Sequence, residues 1–380
     1  MTIQLFQPSI TPLEDGKHIV RTSDRLAWKK CRRQHNFGSI TRRNLVPLKP
    51  SKPLEFGTDW HEAMAVLYDP VTWALVRKQK TRGPVLDVVR STFTAANRAH
   101  MKAQADENGY VNEDTRMDYE EREELGLGML DAYFDWQITV DSFTPVKVEV
   151  DFEVPILTPD GSEMRCDCHN APVVYQGRLD GIVKDAFGWY WILEHKTTAQ
   201  MGTTEHLILD EQTGSYAWAL MQMLGIRVQG VIYSEAVKKV PHTPQALLRP
   251  QQGRNFSVNK QQDTTYEMSV KFLSEQGEDL EAYRDFLEFL QLQGNKFFKR
   301  TQVHRNEHEL RTQGLNIYYE VKEMLDPNTV PYPNPSRFNC MMCAFRPPCI
   351  AMNDGSDYEY LLKEDFKIRT KEEVDARRAR

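Results

Sequence analysis

Gly177-Arg178-Leu179-Asp180-Gly181, followed by Glu194-His195-Lys196-Thr197-Thr198, is the part of this chain whose reading decides the fold. Both stretches read as strands, and the polar segment Asp185-Ala186-Phe187-Gly188 between them reads as the turn that joins them. A strand side chain returns to the same face every second residue. Glu194 and Lys196 therefore project together while His195 faces away. With residues 184 and 189 flanking the turn, Asp180 pairs near Leu193 and lies diagonally across from Glu194. Carboxylates at that spacing suit a shared hard cation, with Lys196 beside them. That is the minimum equipment for metal-assisted attack of water on a phosphodiester. Alone the pattern is weak, because exposed strands often alternate charges.

The flanking periodicity supplies the frame. Val146, Val148, Val150, Phe152 and Val154 alternate with polar residues as a half-buried strand does, and Val228–Ala236 reads as another strand. Residues 158–171 form a polar excursion. Helical spacing runs through Phe56, Trp60, Met64 and Leu67, with His61 among them, and through 71–105, 115–140 and Gln212–Leu224. Residues 24–38 read as a short helix entering a basic loop, and 263–300 and 304–325 as further helices. The order helix, three meandering strands, helix, strand specifies an α+β core with long helical additions. The expected divisions are an N-terminal segment (1–53), a helical region with the His-bearing helix (54–140), the core sheet and helix (141–240), a helical C-terminal region (241–326) and a cysteine-rich segment with its tail (327–380).

Composition narrows the function classes. The chain has 380 residues, 40% hydrophobic and 27% charged, which is ordinary for a soluble globular protein. No apolar run approaches a membrane span and the first residues lack the regions of a signal peptide, so a cytoplasmic location without membrane partners is expected. A net charge of −6 excludes a broadly basic nucleic-acid binder. Basic residues are nevertheless clustered, in Lys29-Lys30-Cys31-Arg32-Arg33, Arg42-Arg43, Lys49 and Lys52, and again in Lys296, Lys299, Arg300 and Arg305. Of the six cysteines, Cys340, Cys343 and Cys349 stand after a Pro-rich stretch, with Cys31 a distant fourth. In a cytoplasmic chain, metal binding explains them better than disulfides, and four thiolates suit zinc as well as iron–sulfur. Cys166-Asp167-Cys168-His169 lacks an evident fourth ligand and reads as a polar loop with free cysteines. His304 and His308, four apart, read as surface residues.

Five elements then fall in a recognisable order: Gly57-x-x-x-His61, Gly177–Gly181, Glu194–Thr198, Gln212-x-x-x-Tyr216, and a cysteine quartet divided between the chain ends. Together they resemble the PD-(D/E)XK nuclease superfamily, in particular its RecB-like branch with CRISPR-associated and phage-encoded iron–sulfur members. The resemblance implies a restriction-endonuclease-like αβββαβ core with large helical additions. It implies Mn²⁺ or Mg²⁺ on His61, Asp180, Glu194 and the backbone carbonyl of His195, with Lys196 placing the attacking water and Gln212 and Tyr216 supporting the strand nearby. It also implies a [4Fe-4S] cluster on Cys31, Cys340, Cys343 and Cys349 that staples the N- and C-terminal segments together. The expected activity is a metal-dependent DNA exonuclease on single-stranded or unwound ends, in recombination, repair or phage replication, with recombination or replication proteins as partners (in the host cytoplasm, if phage-encoded). Arg32, Arg33, Arg178, Lys299 and Arg300 are the candidate phosphate contacts. The rival expectations are an idle iron–sulfur scaffold that binds DNA and a structure-specific endonuclease.

Overall fold

A computed structural model of the chain describes residues 16–48, 52–105, 109–167 and 169–378; Lys49 and Cys168 lie outside them. The first strand, β1 (His18–Val20), leads into α1 (Thr22–Lys30) and α2 (Arg32–Gly38), and β2 (Leu45–Pro47) precedes the long α3 (Lys52–Leu67). After α4 (Pro70–Val76), α5 (Arg82–Lys102) and α6 (Glu113–Val140) come the strands β3 (Thr144–Pro155), β4 (Val173–Lys184) and β5 (Tyr190–Thr198). Then follow α7 (Thr204–Ile208), α8 (Glu211–Leu224) and β6 (Val228–Val237). The expected helix, three strands, helix and strand are therefore present in order.

Beyond them lie β7 (Ala246–Gln251), β8 (Arg254–Phe256), α9 (Tyr266–Glu275), α10 (Arg284–Gln293), β9 (Phe298–His304) and α11 (Glu307–Leu325). The C-terminal part holds α12 (Arg337–Met341), α13 (Arg346–Asp354), α14 (Tyr358–Asp365), β10 (Phe366–Ile368) and α15 (Lys371–Arg378). No helix among the described residues is long and apolar enough to cross a membrane.

Three sequence expectations need correction. The helical reading of 263–300 is interrupted between α9 and α10 and fails at its end. Gly294 (φ 70°) closes α10, and Asn295 Oδ1 accepts the amides of Phe297 and Phe298, turning the chain into β9, which pairs antiparallel with β6. The short helix expected within 24–38 is present as α1, but the basic loop expected after it is a second helix, α2, set off by the extended backbone of Cys31 (φ −164°, ψ 111°). The β7–β8 hairpin was not anticipated; Gln252 and Gly253, both at positive φ, form its turn.

The sheet positions the site through what it leaves unpaired. β3 runs antiparallel along nearly the whole of β4, from Val174 to Lys184. On the other edge of β4, β1 pairs in parallel with 173–175 and β5 in antiparallel with 181–184. Among the described residues, no strand pairs with 176–180 on that edge. The side-chain alternation also breaks here. Val148 and Val150, two apart on β3, enter different clusters, because Glu149 between them adopts the left-handed region (φ 47°). One cluster gathers Val150, Phe152, Leu179 and Ile192 beneath α8 and α11; the other gathers Trp60, Phe93, Leu130, Tyr133 and Leu193 beneath α3, α5 and α6. Gly177 is needed at the gap, since a Cβ there would sit 2.6 Å from the Phe152 ring and 3.2 Å from that of Tyr216.

Candidate active site

Asp180 lies where β4 and β5 separate. Gly181 pairs with Leu193, so Asp180 comes level with Glu194, one position from the diagonal expected, because the turn spans 185–189. The ladder does not continue past this point. Instead Asp180 Oδ2 accepts the His195 amide at 2.7 Å, and a side chain takes the place of the missing strand bond. Oδ1 lies 3.1 Å from His61 Nδ1 on α3. Two ligand atoms at right angles on one Mg²⁺ or Mn²⁺, each about 2.1 Å away, stand about 3.0 Å apart, so this pair is spaced to share a cation.

Glu194 is buried on the opposite side of β5 from His195 and is held by Lys196, with Nζ 3.4 Å from Oε1. Among the described residues its carboxylate does not converge with both His61 and Asp180 to within 4.8 Å. Lys196 also reaches Asp210 Oδ2 at 3.1 Å. Asp210 is the N-cap of α8, accepting the Gln212 amide, and Gln212 Nε2 donates to the Tyr216 hydroxyl at 3.3 Å. Tyr216 in turn stands edge-on to Phe152. The His195 ring faces the other cluster, against Tyr68 and edge-on to His61.

Two acidic groups that sequence reasoning did not single out complete the site. Glu149, across β4 at the backbone break, is held above its ordinary pKa by burial and by Asp180. Its only mark in the sequence was a charged position in an otherwise regular alternation. Asp210 was readable as an N-cap before the Gln212 helix.

Charge is strongly coupled here. Burial works against charge on His61, but Asp180, Glu194 and Glu149 outweigh it and lift the imidazole to about 9. Burial and then Asp180 raise Glu194 to about 8. Burial opposes the charge of Asp180 too, yet His61 and His195 hold its pKa below the usual carboxylate value. Burial drives His195 down to about 3, so its ring is neutral. Lys196 is lifted by Glu194 and Asp210 against desolvation and stays an ammonium. It is a fixed positive charge, not a base.

A testable consequence concerns the metal-free protein. Glu194, ordinarily 4.5, stabilises only as the acid, and its contribution is lost as pH rises through about 8. His61 contributes fully below its ordinary 6.5 and loses that contribution as pH rises through about 9. The Tm of metal-free protein is expected to fall from pH 6 to 9, and Mn²⁺, on binding to both groups in place of their protons, would raise it more at pH 9 than at pH 6. A calorimetric Tm flat over this range would contradict the coupling.

The candidate phosphate contacts fare unevenly. Arg300 is a correction. It points inward, with its side chain 11% exposed, and bonds Asp141, Ser234, Tyr68 and Tyr133. Arg32 pairs with Glu323 and lies over the Trp28 and Tyr332 rings; Arg33 donates to Cys349 Sγ at 3.3 Å and to Asn353. Arg32 thus links α2 to α11, and Arg33 links α2 to α13. Arg178 shares the Asp180 side of β4 but is clamped by Asp151 at 2.6 Å and Glu149 at 3.5 Å. Lys299 is partly exposed on β9, opposite Glu235.

Cys31, Cys340, Cys343 and Cys349 line one cavity of about 200 Å³ together with Phe37, Asn334 and Phe345. The Asn334 amide donates to Cys31 Sγ at 3.4 Å. Burial and the neighbouring Cys31 and Cys340 raise the Cys343 thiol.

A family model described as the PD-(D/E)XK nuclease superfamily matches residues 27–350, which takes in the whole constellation from Cys31 to Cys349. No curated protein matches the chain. Nucleases of that superfamily use divalent metals such as Mg²⁺ or Mn²⁺ to hydrolyse phosphodiesters, and the oxygen and imidazole donors at the β4–β5 gap suit those ions. The chain belongs to the PD-(D/E)XK nuclease superfamily and is a metal-dependent nuclease.

Proposed function

We propose that the chain is a DNA exonuclease of the RecB-like iron–sulfur branch, acting on single-stranded or unwound ends in recombination, repair or phage replication. The observation that carries the catalytic part is the Asp180 carboxylate, fixed by the His195 amide and 3.1 Å from His61, with Glu194 and Lys196 on the adjoining strand. Asp180, His61, Glu194 and the His195 carbonyl are the residues to hold a divalent cation, which supplies charge neutralisation at phosphorus and acidifies the attacking water. Lys196, anchored by Asp210 and Glu194, orients that water and meets the negative charge developing on the phosphoryl oxygens. Tyr216, placed by Gln212 and Phe152, supports the strand beside Gly177.

The cysteine cavity supports assignment to the iron–sulfur branch. The four thiols line one cavity, with N–H donors aimed at Cys31 and Cys349, and together they are the donor set of a [4Fe-4S] cluster joining α1 to α12 and α13. Aerobically purified protein is expected to be yellow-brown, with broad absorption near about 400 nm. Colourless protein with stoichiometric zinc on these cysteines would overturn the cluster.

Digestion of end-labelled linear single strands with Mn²⁺ tests the activity, with a circular strand alongside. An exonuclease shortens the linear strand and spares the circle. Cleavage of the circle would make it an endonuclease, and no cleavage of either would remove the catalytic reading.

A further inference from the structure

The excursion between β3 and β4 contains a second constellation, remote from the nuclease centre. In the sequence Cys166-Asp167-Cys168-His169 lacked an evident fourth ligand; the fold brings His18 of β1 to Cys166 and His169. His18 opens β1, whose amide bonds Pro172 O, and β1 then pairs with the start of β4. The excursion folds back over it through Cys166 N–H to Ala171 O and Asn170 N–H to Cys166 O, with Asn170 at positive φ (52°) making the tight turn. As a result one ligand atom each from His18, Cys166 and His169 lie within 4.8 Å of one another.

His18 supplies the independent observation. It is completely buried, yet neither ring nitrogen has a hydrogen-bond partner among the described residues. A buried imidazole with two idle nitrogens is costly, and a bond from one of them to a metal removes part of that cost. Cys166 is buried beside it, while His169 is exposed, so the group is walled by protein on one side and open to water on the other.

We propose that His18, Cys166 and His169 bind a zinc ion. Two imidazoles and one thiolate are a borderline-soft donor set that suits zinc and disfavours Mg²⁺ and Mn²⁺. The fourth tetrahedral position, on the His169 side, takes a water molecule. Binding releases the Cys166 thiol proton to solvent, because the thiolate is the ligating form. The ion pins the excursion to β1, and with it the short strand that leads into α1 and Cys31. Val173, beside His18, lies roughly 23 Å of strand from Asp180 at about 3.3 Å per residue, so this zinc takes no part in strand cleavage. The proposal stands whether or not the nuclease reading is right in its details.

The test uses the full chain with its other metals left in place. After incubation with zinc and removal of excess, elemental analysis is expected to find about one zinc per chain in wild type. His18→Asn and Cys166→Ser are each expected to lose it while retaining wild-type iron content and circular dichroism. Cobalt in place of zinc gives a readout that does not depend on a variant folding. Wild type is expected to show a thiolate-to-cobalt charge-transfer band and the intense visible bands of a four-coordinate centre. Zinc kept in both variants, or wild-type protein that takes up neither zinc nor four-coordinate cobalt at this site, would overturn the proposal.

Discussion

Asp180→Asn is expected to lower strand hydrolysis by roughly 10²–10³-fold, the scale on which one preorganised electrostatic group acts, without unfolding the protein. Asparagine keeps the shape of the side chain and can still accept the His195 amide that Asp180 Oδ2 accepts at 2.7 Å, so the β4–β5 gap stays closed. What is lost is the charge proposed to hold the cation, which also sets the neighbouring protons. Asp180 is the chief group lifting the His61 imidazole against burial, and the second cause, after burial, of the raised Glu194. Removing it should therefore move the His61 titration, followed by ¹H–¹⁵N NMR in metal-free protein, from about 9 back toward and below its ordinary 6.5. The two readouts belong together. A variant that loses activity with His61 still titrating near about 9 would show that Asp180 acts by some route other than this shared site. Full activity in the variant would remove Asp180 from catalysis altogether. Lys196→Ala should give a comparable loss of rate, but with weaker influence on His61, because Lys196 contacts Glu194 and Asp210 and not the imidazole.

These residues were legible because period-two alternation is enforced by the strand itself. Glu194 and Lys196 share a face whatever the surrounding tertiary structure, and the i, i+4 spacing of Gln212 and Tyr216 puts them on one face of any helix. Legibility stopped where backbone irregularity decides. A five-residue turn in place of a four-residue one shifted Asp180 by one position relative to Glu194. Glu149 joins the site through a left-handed residue that the alternation of β3 conceals. Nor could local pattern show that β1 returns beside β4 and brings His18 to Cys166, since that contact closes a loop across most of the core. Clustered charge misled most. Arg300 reads as part of a basic surface, but a guanidinium beside Tyr133 and Trp136 can turn onto the rings and find the buried Asp141 carboxylate beneath the surface.

Arg300 offers the sharpest test of that last point. Its Nε and Nη2 straddle the Asp141 carboxylate at 2.7 and 2.9 Å, Nη1 reaches Ser234 Oγ at 2.6 Å, and Nη2 also donates to the Tyr133 hydroxyl at 2.7 Å. The Asp141 side chain is fully enclosed and also accepts the Tyr68 hydroxyl at 2.7 Å. Arg300→Met leaves that carboxylate with no cation in a buried setting, and breaking one partner of such a pair costs about 3–5 kcal/mol. The urea midpoint should fall accordingly. Adding Asp141→Asn should recover part of the loss, because the stranded charge goes with it. Tyr68 packs against the His195 ring, so the damage also reaches the strand carrying Glu194 and Lys196, and activity should fall with stability. A phosphate contact would behave in the opposite way. Stability would be unchanged, DNA affinity would drop, and the salt dependence of binding would lose about one counterion. Measuring the urea midpoint and the salt slope on the same variant decides between a buried strut and a surface guide.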